Sequence, residues 1–141
     1  MFEEISAVES VDDFHARFQT EQDCADILFH IKWPSGYSCP RCAHRSVYVI
    51  SGRRLPLYQC AKCKHQSSLL EGTVMEKSRT DLRKWFLAIW FISDSTRTKN
   101  AVQLKEILDV TYKTAWLMLS KLRAVLSSEN QRIPLQNVVH I

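Results

Sequence analysis

The chain has little of what marks several protein classes. Three glycines and four prolines in 141 residues are too few for a low-complexity or collagen-like chain. No apolar run approaches the roughly 18 residues of a membrane-spanning helix, so no membrane association is expected. Glu3 and Glu4 stand where a secretory leader would carry basic and then apolar residues, which predicts a chain without an export signal. With five cysteines and no such signal, a cytoplasmic, reducing compartment is expected. Acidic residues also thin out along the chain. Residues 1–38 hold two basic and eight acidic residues, a net of −6, whereas residues 39–141 hold 17 basic and seven acidic, a net of +10. A basic body behind an acidic lobe points to a polyanionic partner, although solvated lysines alone would give the same balance. The length suits one ordinary domain or two small modules.

What is present in quantity is paired cysteine. Cys39-Pro40-Arg41-Cys42 and Cys60-Ala61-Lys62-Cys63 are separated by seventeen residues, the ligand spacing of a zinc ribbon. Two residues between cysteines let one tight turn aim both sulfurs at one metal. Two such turns complete the four-thiolate tetrahedron of a closed structural zinc site. Between the pairs, Ser46–Ile50 and Leu57–Gln59 are β-rich and Ser51-Gly52-Arg53-Arg54 is a turn signal, which predicts a hairpin arm. A redox pair would need one Cys-x-x-Cys inside a βαβ unit, and that pattern is missing. Cys39, Cys42, Cys60 and Cys63 are therefore the expected ligands of one Zn²⁺. His44 and His65, each two residues past a knuckle's second cysteine, form a faint repeat and are read as bystanders. Arg41, Arg45, Arg53, Arg54, Lys62 and Lys64 decorate the ribbon, either to meet phosphates or to offset the −2 charge of a tetrathiolate zinc site.

Helices are expected on both sides. Ser10 and Thr20 each precede an aspartate by three residues, which predicts two capped helices before the ribbon. Cys24, Ile27, Leu28 and Ile31 at i, i+3, i+4 and i+7 place Cys24 in an apolar stripe rather than at the metal. Trp33-Pro34-Ser35-Gly36 ends the second helix. After the ribbon, Gln66–Leu70 reads as a third strand. Thr80 is the expected cap of a helix containing Trp85–Ile92, eight apolar residues in a row that imply burial on most sides. Ser93–Lys99 is a polar linker.

From Asn100 a helix-turn-helix is expected. Asn100 caps a short helix carrying Val102, Leu104, Ile107 and Leu108, Asp109-Val110-Thr111 is the turn, and Thr111 caps Tyr112–Leu126. Leu104, Leu108, Val110, Ala115 and Met118 would pack together, with Leu119, Leu122 and Leu126 extending the stripe. Lys105 stands where a small residue usually lets such helices close, and Asp109 replaces the turn glycine, a position aspartate tolerates in the left-handed conformation. Tyr112, Lys113, Trp116, Ser120 and Lys121 fall on the free face and are the expected contacts to the major groove of double-stranded DNA, with Arg53 and Arg54 of the ribbon arm as a second set. Trp116 could instead belong to the core beside Ala115 and Leu119.

The order of these elements, with Trp33-Pro34-x-Gly36, Cys39-Pro40-x-Cys42, Tyr58-Gln59-Cys60-x-x-Cys63, Gly72-Thr73, Leu82-x-x-Trp85-Phe86, Gln103-Leu104 and Tyr112-Lys113-Thr114-Ala115-Trp116, resembles the N-terminal part of bacterial insertion-sequence transposases. Those proteins carry a zinc ribbon ahead of an RNase H-like DDE catalytic domain, and the resemblance covers about residues 10–141. It implies binding at transposon ends, with cutting and joining left to a later domain. Pro134–Ile141 resembles the approach to the first catalytic strand, His140 stands where the family tends to carry glutamate, and no acidic triad can be assembled. The expectation is an α+β chain without catalytic residues. It divides into an acidic helical lobe (1–36), a zinc ribbon with a small antiparallel sheet (37–77), a helical helix-turn-helix domain (78–128) and an extended tail (129–141) that starts a missing catalytic domain. Such a chain would be a truncated transposase binding transposon ends, alone, as a homodimer or with a full-length transposase. The alternatives are a host transcriptional regulator and a protein-interaction partner that inhibits the full-length enzyme.

Overall fold

The computed structural model describes residues 9–93 and 100–126. The expected linker beyond Ser93, the tail 129–141 with Pro134–Ile141, and the side chain of Leu126 lie outside the described residues. Five helices and one three-stranded antiparallel sheet are described: α1 (Val11–Arg17), α2 (Glu21–Lys32), β1 (Val47–Ile50), β2 (Leu57–Cys60), β3 (Gln66–Ser68), α3 (Leu82–Ser93), α4 (Ala101–Leu108) and α5 (Tyr112–Leu126). The chain is thus α+β. Among the described residues no helix is long and apolar enough to cross a membrane.

Local chemistry sets the helix starts. Ser10 Oγ accepts the Asp13 amide (3.1 Å). Thr20 and Asp23 form a reciprocal capping box, with the Asp23 amide donating to Thr20 Oγ1 (3.2 Å) and the Thr20 amide to Asp23 Oδ2 (2.9 Å), which satisfies two otherwise orphaned donors. α3 starts one residue later than Thr80 would place it: Asp81 Oδ1 accepts the Arg83 amide (2.7 Å), and its carbonyl accepts those of Lys84 and Trp85. A residue far off in sequence completes this start. Glu21, in the first turn of α2, accepts the Leu82 amide (2.9 Å) and pairs with the Arg54 guanidinium from the hairpin loop.

One apolar core runs through the molecule. The residues from Trp85 to Ile92 are all buried, as their unbroken apolar run predicts, with α2, α4 and α5 packed against α3. Phe18 meets Phe86 edge to face at 5.7 Å. Cys24, Ile27, Leu28 and Ile31 point inward from α2.

α4 and α5 form the expected pair of helices across a tight turn. Asn100 Oδ1 accepts the Gln103 amide (2.9 Å), Thr111 Oγ1 accepts the Thr114 amide (3.2 Å), and Asp109 is left-handed at φ 55° and ψ 57°. Leu104, Leu108, Ala115, Met118, Leu119 and Leu122 are buried and Val110 partly so, whereas Val102 and Lys105 are exposed. Lys105 therefore does not obstruct the helix contact. Because Asp109 closes the turn with a positive φ, Asp109→Val should lower stability by about 1–2 kcal/mol, while Asp109→Gly should not lower it. Thermal melting of the two variants checks this.

Candidate metal centre and nucleic-acid interface

The four ribbon cysteines are carried by two knuckles of the same build. In the first, the Cys39 amide donates to the His44 carbonyl (2.9 Å) and the Ala43 amide to the Cys39 carbonyl (2.9 Å). The Arg41 and Cys42 amides point at Cys39 Sγ (3.3 and 3.5 Å). In the second, the Cys60 amide donates to the His65 carbonyl (2.9 Å) and the Lys64 amide to the Cys60 carbonyl (3.1 Å). There the Lys62 and Cys63 amides point at Cys60 Sγ (3.4 Å each). Ala43 and Lys64, the residues after each second cysteine, are both left-handed, at φ 65° and 66°. His44 and His65 thus serve the knuckles through their carbonyls.

β1 and β2 bring the knuckles together, since Val47 pairs with Cys60 and Ile50 with Leu57. Cys39 Sγ lies 3.6 Å from Cys63 Sγ and Cys42 Sγ 3.5 Å from Cys60 Sγ, with all four sulfurs within 4.8 Å of one another. A tetrahedron with Zn–S bonds of about 2.3 Å has edges of about 3.8 Å, whereas a disulfide would need about 2.05 Å. The donor set fits one structural Zn²⁺ with no open position. Burial alone would raise the Cys39 thiol, but the Cys42 and Arg41 amides draw its pKa down to about 6. Cys60 is drawn down in the same way by Cys63 and Lys62. Thiolate is the ligand form, so these donors favour metal binding. Burial, then the Cys39 sulfur, pushes the Tyr37 phenol up to about 12, so its buried hydroxyl stays protonated near the cluster.

An aromatic clamp joins this centre to α2. Phe29 and Trp33 lie 5.5 and 5.2 Å from Tyr58, Trp33 lies 5.0 Å from Tyr37, and Trp33 Nε1 donates to the Ser38 carbonyl (3.0 Å). Lys32 Nζ donates to the Ser68 and Glu71 carbonyls (3.0 Å each), and burial holds its pKa below the ordinary lysine value. In the sequence Trp33 marks a helix end and Tyr58 a motif position, and the signal that could have shown the clamp is the recurrence of Phe29, Trp33 and Tyr37 at every fourth residue.

The expected nucleic-acid residues fall in two groups. Tyr112, Lys113, Trp116, Ser120 and Lys121 share the exposed face of α5, joined by Leu117. Trp116 is 52% exposed and so lies outside the core. Ser120 Oγ donates to the Trp116 carbonyl (2.8 Å), which commits its proton within the helix. In the ribbon arm Arg53 is exposed, but Arg54 is held by Glu21. Both arginines are exposed, and the ion pair links Arg54 of the hairpin loop to α2.

Native mass spectrometry should detect one zinc per chain, lost to a strong chelator together with ribbon structure. Cys60→Ser should abolish stoichiometric binding. Cys24→Ser should preserve it, because burial raises that thiol inside the core, away from the knuckles. A ribbon that stays folded without metal would refute the assignment.

Comparison with known proteins agrees with this geometry. Residues 19–66 match the family described as the transposase zinc-ribbon domain. Over 111 residues, 77% of this chain, it is 36% identical to an "Uncharacterized protein in transposable element ISH50" of Halobacterium salinarum. The match covers 37% of that relative, so the chain spans little more than a third of its length. No solved structure matches the chain. The cysteine cluster, the ribbon match and the insertion-element relative relate this chain to the N-terminal, zinc-ribbon part of insertion-sequence transposases.

Proposed function

We propose that this chain is a DNA-binding part of an insertion-sequence transposase that holds duplex DNA at element ends and performs no phosphodiester chemistry by itself. The observation that carries this reading is the free face of α5. Its buried side is held against α3 and α4, and its other side offers Lys113 and Lys121 with the rings of Tyr112 and Trp116. A rigid helix with cations and exposed aromatics on one face suits the major groove, where lysines meet phosphates and apolar groups meet thymine methyls. The excess of basic residues beyond Cys39 and the insertion-element relative support the same reading. Four thiolate ligands suit a reducing compartment such as the cytoplasm.

An inhibitor docking through the aromatic helix draws no support from the fold, because Trp85–Ile92 is consumed by the core. A host regulator would share the α5 geometry and would bind one operator instead of element ends.

Binding to duplex DNA should weaken with salt, each neutralised phosphate contributing about −0.9 to the slope of log K against log salt. Lys113→Ala and Lys121→Ala should each flatten that slope by about one. Trp116→Ala should leave stability within about 0.5 kcal/mol and shift base preference by about 1–3 kcal/mol at one position. Salt titrations check the lysine variants, a melting curve with titrations against single-base duplex variants checks Trp116→Ala, and unchanged slopes in both lysine variants would reject α5 as the reader. Incubating supercoiled plasmid with the pure chain and Mg²⁺ or Mn²⁺ should yield no nicking.

A further inference from the structure

One face of the ribbon sheet turns toward the metal and the α2 clamp, and on the other Tyr48 and Gln66 are exposed while Ile50, Leu57, Gln59 and Ser68 are half-buried. Alternation along the strands places Val47, Tyr58, Cys60 and Ser67 toward the metal and the α2 clamp, with Val49 on the same side beyond the reach of the core. Tyr48, Gln59 and Gln66 occupy the opposite face as one cross-strand row, Tyr48 paired with Gln59 and Gln59 with Gln66. Tyr48 is 58% exposed, an unusual position for an aromatic ring on a strand. Lys64 Nζ lies 5.5 Å from its ring centroid, and Gln66 Nε2 donates to Gln59 Oε1 (3.0 Å). That bond uses one donor and one acceptor of the two amides and leaves others to address a ligand.

Charge decides the kind of ligand. From Cys39 to Gln66 the chain has six basic residues and no acidic one. Even after the −2 charge of a tetrathiolate zinc centre, the ribbon remains strongly positive. A flat ring in a basic field, flanked by amides that can both donate and accept, matches the chemistry of a nucleobase with its phosphate. A duplex hides its base faces in the stack, whereas an unpaired base exposes its π-face to an aromatic platform.

We propose that the Tyr48 face of the ribbon sheet binds single-stranded DNA, with one base stacked on Tyr48, the Gln59 and Gln66 amides meeting its edge, and Lys64 on the adjoining phosphate. This goes beyond the α5 reading and does not depend on it. At an element end the site would hold frayed or already separated strands while α5 grips the neighbouring duplex.

The test uses the zinc-loaded chain and two fluorescent probes, oligo(dT) and a blunt hairpin duplex, read by anisotropy. Tyr48→Ala should weaken oligo(dT) binding by about tenfold or more and leave the duplex constant unchanged. Tyr48→Phe should keep both. Lys113→Ala should show the reverse pattern, so failure of the α5 reading and failure of this one are distinguishable. Zinc content and melting temperature of Tyr48→Ala should match the parent, since the ring supports no core contact. A 5-iodouracil oligonucleotide should photocross-link to Tyr48. Equal oligo(dT) binding by parent and Tyr48→Ala, equal loss on both probes, or cross-links confined to α5 would each overturn the proposal.

Discussion

Four sulfurs held within 4.8 Å of one another are the constraint on which the ribbon depends. Strands of four, four and three residues are too short to stand as an independent sheet. A metal joining the two knuckles fixes the β1–β2 register, because Cys39 and Cys42 lie on one side of the hairpin and Cys60 and Cys63 on the other. Zinc binding and ribbon folding are therefore one equilibrium.

The rest of the molecule is organised around α3. Its Trp85–Ile92 run is buried throughout, and α2, α4 and α5 all pack on it. Glu21 ties three distant segments at one point: the first turn of α2, the start of α3 through the Leu82 amide, and the hairpin loop through Arg54. The aromatic clamp of Phe29, Trp33 and Tyr58 makes a second joint between helix and ribbon. Both joints tie the ribbon to the helical part of the molecule.

Much of this was legible in the sequence because it rests on local chemistry. The Cys-x-x-Cys spacing, the Ser10 and Thr20 caps, the unbroken Trp85–Ile92 run and the Leu104, Leu108, Ala115, Met118 stripe each follow from residues a few positions apart. The left-handed turn at Asp109 was legible for the same reason. What tertiary structure decided involves partners far apart in the chain. Arg53 and Arg54 of the hairpin loop read alike in the sequence, yet Arg54 pairs with Glu21, thirty-three residues away. Periodicity put Trp116 on the free face of α5 with the core as the competing place, and the packing of α5 on α3 and α4 leaves its ring exposed. Tyr48 alternates like any strand residue. Its exposure depends on what packs on the sheet, where α2 meets Tyr58 on the other face and leaves Tyr48 outside, which no spacing within the strand encodes.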